Sequence, residues 1–235
     1  MLVWVMLSAC SSGPDASATS APPVGPAAEE CVQPSYAEAD ELFAQELILR
    51  LDDLPQPLWS EQPHRGDHPC SDSNVESRAC FGLPNFTQEN TAEVDSPDYL
   101  LNDNRLDLSI LSNVTAMQTV RSAEDLFNRQ VSSTGAECLR MSFSDAGLVP
   151  FAALDFELTE VEPRVSTDSE LFIYGYDVVF SSQSGDLSLA MEMALLTRGR
   201  FVVTLAMTSI TTPLDRDLFD SLITKTDDRL VAGIK

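Results

Sequence analysis

Apolar positions recur at helical spacing in the first patterned stretch of the chain. In "PSYAEADELFAQELILRLDDLP", residues 34–55, Ala39, Leu42, Phe43, Leu47 and Leu51 mark one face, the period of an amphipathic helix. Ser35 and Glu38 stand at capping-box spacing, and Pro55 closes the segment. Further on the period changes to two. "NRLDLSILSNV" alternates at Leu106, Leu108 and Ile110 and predicts a half-buried strand. Ser122 then predicts the cap of a second helix, "AEDLFNRQVSSTGAEC", with Glu124 and Asp125 in its first turn. "FAALDFELTEV" alternates at Leu154, Phe156 and Leu158, and "ELFIYGYDVVFS", "DLSLAMEMALLTR" and "RFVVTLAMTS" follow as three more strands. Ser184-Gly185-Asp186 and Arg198-Gly199 supply the turns between them. A last helix follows Pro213, with Leu218, Leu222, Ile223 and Leu230 on its apolar face. Asp215 and Asp217 at its start and Lys225 and Arg229 near its end suit the helix dipole, and Gly233 is a C-cap candidate.

Between the first helix and the first strand, residues 55–104 are broken up by Pro, Ser, Asn and Asp. They read as a long irregular region with at most one short strand. The order is therefore helix, irregular region, strand, helix, a run of antiparallel strands, helix. That is the α+β class: a twisted antiparallel β-sheet with packed helices, here a single disulfide-stapled domain.

Charge narrows the class of partner. Lys plus Arg is 14 against 37 Asp plus Glu, a net charge of −23, and Arg50 is the first cation in the chain. Such a polyanion gains nothing from counterion release on DNA or RNA, so no nucleic acid is expected as a partner. It is equally repelled by anionic lipid surfaces. At 43% hydrophobic residues the chain can build a core. No apolar run reaches the roughly 18 residues of a membrane-spanning helix.

The N-terminus gives an address. Met1–Leu7 is apolar and Leu7-Ser8-Ala9-Cys10 has the form of a bacterial lipobox: an apolar residue, two small residues that admit a signal peptidase, then the Cys that takes the lipid. Residues 1–9 are read as the signal peptide. They are fewer than usual and lack a basic residue, which points to a start codon assigned too late. Residues 10–30 are the lipidated Cys and a tether. Of residues 11–30, 16 of 20 are Ser, Ala, Pro, Gly or Thr, a composition that cannot order itself. It reaches about 25 Å as a coil and at most about 70 Å extended. Residues 31–235 form the folded α+β domain.

With Cys10 acylated, Cys31, Cys70, Cys80 and Cys138 remain. Four thiols in an oxidising compartment imply two disulfides, and three pairings are open. The favoured pairing is Cys70–Cys80 as a local staple with Cys31–Cys138 as the long closure. Loop entropy assigns about 3 kcal/mol to the first and nearer 5 kcal/mol to the second.

Four stretches carry a resemblance. They are the lipobox with its Ser/Pro/Ala tether, "ELILRLDDLP", "SAEDLFNRQVSSTGAEC" and "TRGRFVVTLAM". With them the chain resembles the actinobacterial lipoproteins whose folded part is like the extracytoplasmic sensor domain of mycobacterial Ser/Thr protein kinases. The resemblance implies an α/β sandwich with a cleft, a ligand-binding or signalling role, and no catalytic residues.

The remaining motifs are weaker. "PHRGDHPC" holds both histidines, and His64, Asp67, His68 and Cys70 have the donors of a zinc site. A disulfide at Cys70 leaves too few ligands, so a solvated loop is the better reading and no metal is expected. Arg65-Gly66-Asp67 reads as a turn. "NDNRLD", residues 102–107, offers oxygen ligands for Ca²⁺ but lacks the Gly and final acid of an EF-hand, so Asx-turn chemistry is preferred. Asn85-Phe86-Thr87 and Asn113-Val114-Thr115 are glycosylation sequons of little meaning in a bacterial lipoprotein. Trp59, Tyr174 and Tyr176 are read as packing residues rather than a pocket lining. There is no Gly-x-Ser-x-Gly elbow and no phosphate loop. The expected function is a lipid-anchored, extracytoplasmic binding or sensor-like lipoprotein that engages a ligand or partner protein without catalysis or cofactor. The alternatives are a secreted hydrolase with His64 or His68 as base, and a metal-binding lipoprotein.

Overall fold

The long apolar stretches "ELFIYGYDVVFS" and "DLSLAMEMALLTR" become the longest strands. The structure, a computed structural model, describes residues 36–64, 80, 90–102, 108–138, 154–182, 185–210 and 213–234, all within the compact unit Cys31–Lys235. Its helices are α1 (Glu38–Leu47), α2 (Val120–Gln130) and α3 (Arg216–Gly233). Its strands are β1 (Trp59–Gln62), β2 (Asn90–Asp95), β3 (Asp98–Leu101), β4 (Ser109–Met117), β5 (Leu154–Val161), β6 (Glu170–Ser182), β7 (Gly185–Arg198) and β8 (Phe201–Ser209). They make one antiparallel 8-stranded sheet in the order β1-β3-β4-β8-β7-β6-β5, with β2 also on β4. This is the α+β architecture expected from the pattern.

β2 and β3 run end to end along one edge of β4, broken at Ser96-Pro97. Pro97 has no N–H to give the ladder, and serine hydroxyls take over there. Ser96 N donates to Ser112 O at 2.8 Å, and Ser112 N donates to Ser96 Oγ at 2.9 Å. Ser112 Oγ in turn accepts from Leu49 N at 2.9 Å. The chain leaving α1 is thereby fastened to the sheet, and Tyr99 Oη adds a bond to Leu49 O at 2.8 Å.

The period of two gives the sheet two apolar faces. Ile110, Val114 and Ala116 of β4, Phe201, Val203, Leu205 and Met207 of β8, Ala194 and Leu196 of β7 and Ile173 of β6 form one of them. They pack against Ala44 and Leu47 of α1 and Phe219, Leu222, Ile223 and Leu230 of α3. Each buried Val, Leu, Ile, Phe or Met among them is worth about 1.5–3 kcal/mol. The other face carries Leu195, Met193, Met191, Tyr174 and Tyr176 beneath Phe127 of α2, continued by Met117, Val202, Ala123 and Leu126.

Several local expectations are corrected. α1 starts from Ala37 without a side-chain cap, and Ser35 lies outside the described residues. The helix stops at Leu47; Leu51–Asp53 is a separate 3-10 turn. The cap of α2 is Thr119, whose side chain accepts from Ser122 N at 3.0 Å, so Ser122 is the third helical residue and not the cap. Residues 55–104 contain three strands rather than one at most. α3 starts as expected, with Asp215 accepting from Leu218 N at 3.0 Å.

The disulfide pairing is also different. Cys80 is bonded to Cys138, with S–S 2.09 Å and 58 residues between them in sequence. This excludes Cys70–Cys80 and Cys31–Cys138 together. Cys138 closes the helical turn of residues 133–138 that follows α2, and there it meets Cys80. Cys10, Cys31 and Cys70 lie outside the described residues.

Candidate binding surfaces

The sheet places three polar or amphipathic arrangements on view. The first lies on the α1/α3 face. Glu192 occupies a core register position of β7, opposite Gly175, and is only 2% exposed. Arg164, from the connection after β5, donates to its Oε2 through Nη2 at 2.7 Å, and Arg216, at the start of α3, donates to Oε1 through Nε at 2.8 Å. Arg164 also grips Asp220 on α3 through Nε and Nη2, at 2.8–3.1 Å. Its guanidinium pKa is raised, first by the Asp220 hydrogen bonds and then by those of Glu192 against the cost of burial. Two cations and two anions thus neutralise one another. Glu192 accepts from two guanidiniums and has no role left as a base.

Neighbouring carboxylates are committed in the same way. Asp227, 6% exposed, accepts from Asp168 N at 2.7 Å and Ser169 N at 3.0 Å. Asp53 accepts from Arg50 N at 2.9 Å and from Arg229, while Lys225 Nζ donates to Asp53 O at 2.6 Å.

The second arrangement is the aromatic layer under α2. Phe172, Tyr174 and Tyr176 follow one another on the same face of β6, with ring centroids 4.7 and 6.1 Å apart. Tyr174 Oη donates to Gln130 O at 3.0 Å, which ties β6 to the end of α2. Burial holds the phenols neutral. It pushes Tyr174 up to about 12, with Glu160 adding to the shift, and drives Tyr176 higher still. Both tyrosines are core residues, as the packing reading has it, and Trp59 belongs to the core on the opposite face.

The third is at the β1–β3 end. His64 Nδ1 is 2.7 Å from Asp98 Oδ1, with the ring 29% exposed. Asp67, His68 and Cys70, which the metal reading grouped with His64, lie outside the described residues. Among the described residues no three His, Cys, Asp or Glu side chains are grouped to hold a metal ion. Asn102, the first residue of the Ca²⁺ candidate, has a positive φ of 55° and donates its N–H to Leu58 O at 2.8 Å, the geometry of a turn. Asn113 sits inside β4 with its amide on Asp95 Oδ1 at 2.9 Å.

The Glu192 cluster was missed from sequence, since its bonded pairs are 24–56 residues apart. One signal existed: Glu192 is the only charge in the apolar run "LSLAMEMALL", and a carboxylate at an inward register position needs a partner.

No protein-family model matches the chain, and no curated protein matches it either. Among solved structures, the extracellular domain of PknH from Mycobacterium tuberculosis aligns over 85% of this chain and 98% of its own, at 12% identity and a TM-score of 0.45. LpqN, involved in cell envelope biogenesis of Mycobacterium tuberculosis, aligns over 83% of this chain and 96% of its own, at 10% identity and a TM-score of 0.26. The protein of unknown function PA94 from Pseudomonas aeruginosa aligns over 55% of this chain and 75% of its own, at 11% identity and a TM-score of 0.24.

Proposed function

We propose that this chain is a lipid-anchored domain on the extracytoplasmic face of the cell membrane that binds a ligand or partner protein without catalysis. Residues 1–9 are the signal peptide, Cys10 carries the lipid, residues 11–30 hold the domain off the membrane and residues 31–235 bind. The observation that carries the reading is the Cys80–Cys138 disulfide, because such bonds persist in oxidising compartments. It leaves Cys31 and Cys70 as the second pair once Cys10 is acylated. Among the described residues no helix is long and apolar enough to cross a membrane, and in this reading the lipid on Cys10 makes the attachment. The commitment of Glu192, Asp227 and Asp53 to internal partners supports binding over catalysis.

Intact mass spectrometry of the native chain under non-reducing conditions tests this. The expected mass is that of a chain starting at diacylated Cys10 with two disulfides. A chain that keeps Met1 and carries five reduced thiols overturns the proposal.

One observation favours a second reading, the secreted hydrolase. Asp98 on His64 Nδ1 is the relation that orients an imidazole whose Nε2 acts as general base. Substituting both histidines, His64→Ala with His68→Ala, tests it: hydrolytic turnover left unchanged removes a histidine-based hydrolase.

A further inference from the structure

We propose that the outer edge of β5 is the docking site for an extended, cationic segment of a partner protein, which adds to the sheet as its next strand. The proposal rests on the binding role argued above and names the chemistry of the partner.

β5 ends the sheet. Among the described residues it pairs with β6 alone, so its other side presents a row of backbone donors and acceptors. Eight residues long, "LDFELTEV" contains no Pro, Gly or Lys, the residues that usually blunt an edge. Its pairing with β6 runs unbroken from Leu154↔Phe180 to Val161↔Ile173, so no bulge turns it away. At the opposite end of the sheet, β1 offers four residues, half the template.

Charge decides the occupant. The strand carries Asp155, Glu157 and Glu160, and Glu162 follows. Register puts positions 155 and 157 on the face of exposed Asp177, and positions 154, 156 and 158 on the face of Tyr176. A second copy would set carboxylates beside carboxylates, and like charges across strands are destabilising. A strand alternating Lys or Arg with apolar residues meets both faces with the right chemistry. The rest of the molecule steers it, since Arg164, Arg200, Arg216 and Arg229 are engaged by the protein's own carboxylates and the outward field is left to the acids.

The test uses the purified full chain and two ten-residue peptides, one alternating Lys and Val, the other alternating Glu and Val, read by amide hydrogen exchange. The Lys–Val peptide should slow exchange across β5 and lose affinity as salt rises, and the Glu–Val peptide should do neither. Asp155→Lys with Glu157→Lys should weaken Lys–Val binding about tenfold, with the fold checked by circular dichroism. No slowing by Lys–Val, equal slowing by Glu–Val, protection in the free chain of the outward β5 amides that do not bond to β6, or self-association through β5 would each overturn the proposal. Acylation of Cys10 is measured separately, so a chain that is acylated but does not dock fails this inference alone.

Discussion

Arg164 Nη2 stands 2.7 Å from Glu192 Oε2 and joins the connection between β5 and β6 to a central strand of the sheet. The same guanidinium reaches Asp220 on α3 at 2.8 Å, so one side chain locks three elements. Stranding one member of a buried pair costs about 3–5 kcal/mol. Two facts reduce this here: Glu192 retains Arg216, and the Arg164 side chain is 28% exposed, so water screens part of the interaction. Arg164→Met should therefore lower stability by about 2 kcal/mol in urea unfolding. Arg164→Met combined with Glu192→Leu should cost less than the sum of the two single changes. Strict additivity would mean that the pair does not couple.

Asp40 and Arg200 form the corresponding contact at the other end of the same face, at 2.9 Å. The Arg200 hydrogen bond, helped by one from Thr91, holds the Asp40 carboxyl below the ordinary range against the cost of burial. A depressed folded pKa stabilises the protein above the unfolded value of about 3.9 and loses that contribution as pH falls through the folded value. Asp40→Asn should thus destabilise at pH 6 and flatten the acid limb of the melting temperature below pH 4. An acid limb of unchanged steepness in the variant would show that Asp40 does not drive it.

The legible parts of the fold were those with long, single-period patterns. β6, β7, β8 and α3 are each 9–18 residues long, enough for an apolar run or a 3.6 period to stand out. β1, β2 and β3 have four to six residues each, too few for a period to stand out, and Pro97 splits what is structurally one edge. Thr119 was overlooked as a cap because Ser122 precedes an acidic turn that imitates a helix start. The Cys80–Cys138 bond depends on where the chain after α2 runs, which no spacing encodes. The acids of β5 were visible as letters, but only the strand order makes them an edge.

Gly135 marks a close approach that no larger residue fits. Its N–H donates to Ser132 Oγ at 3.0 Å, and a Cβ there would overlap the carbonyl oxygens of Arg129 and Gln130. Those atoms are backbone at the end of α2 and cannot swing aside. Gly135→Ala should cost about 3 kcal/mol, the upper range for overpacking. Gly199→Ala, in the turn between β7 and β8, faces a left-handed φ of 57° and the tip of the flexible Ile234 side chain at 3.3 Å and should cost about 1–2 kcal/mol. Thermal unfolding of both variants checks the order, and a harsher effect at Gly199 would contradict it.

Three buried phenols set the alkaline limit of the fold. Burial pushes Tyr99 up to about 12, with Glu61 adding to the effect; Tyr174 rises to about 12 for the same first reason, and Tyr176 goes higher. An unfolded tyrosine ionises near 10. A raised folded pKa gives stability that is complete below the unfolded value and drains away as pH climbs towards the folded one. The protein should hold its melting temperature to about pH 9.5, then lose stability steeply between about 10 and 12. Tyr174→Phe should soften that loss while giving up the bond to Gln130 O, so the variant is weaker at pH 7 and closer to wild type at pH 11. Absorbance at 295 nm would show the delayed phenols as a step that coincides with unfolding; a smooth titration centred on 10 would mean that the tyrosines are open to water.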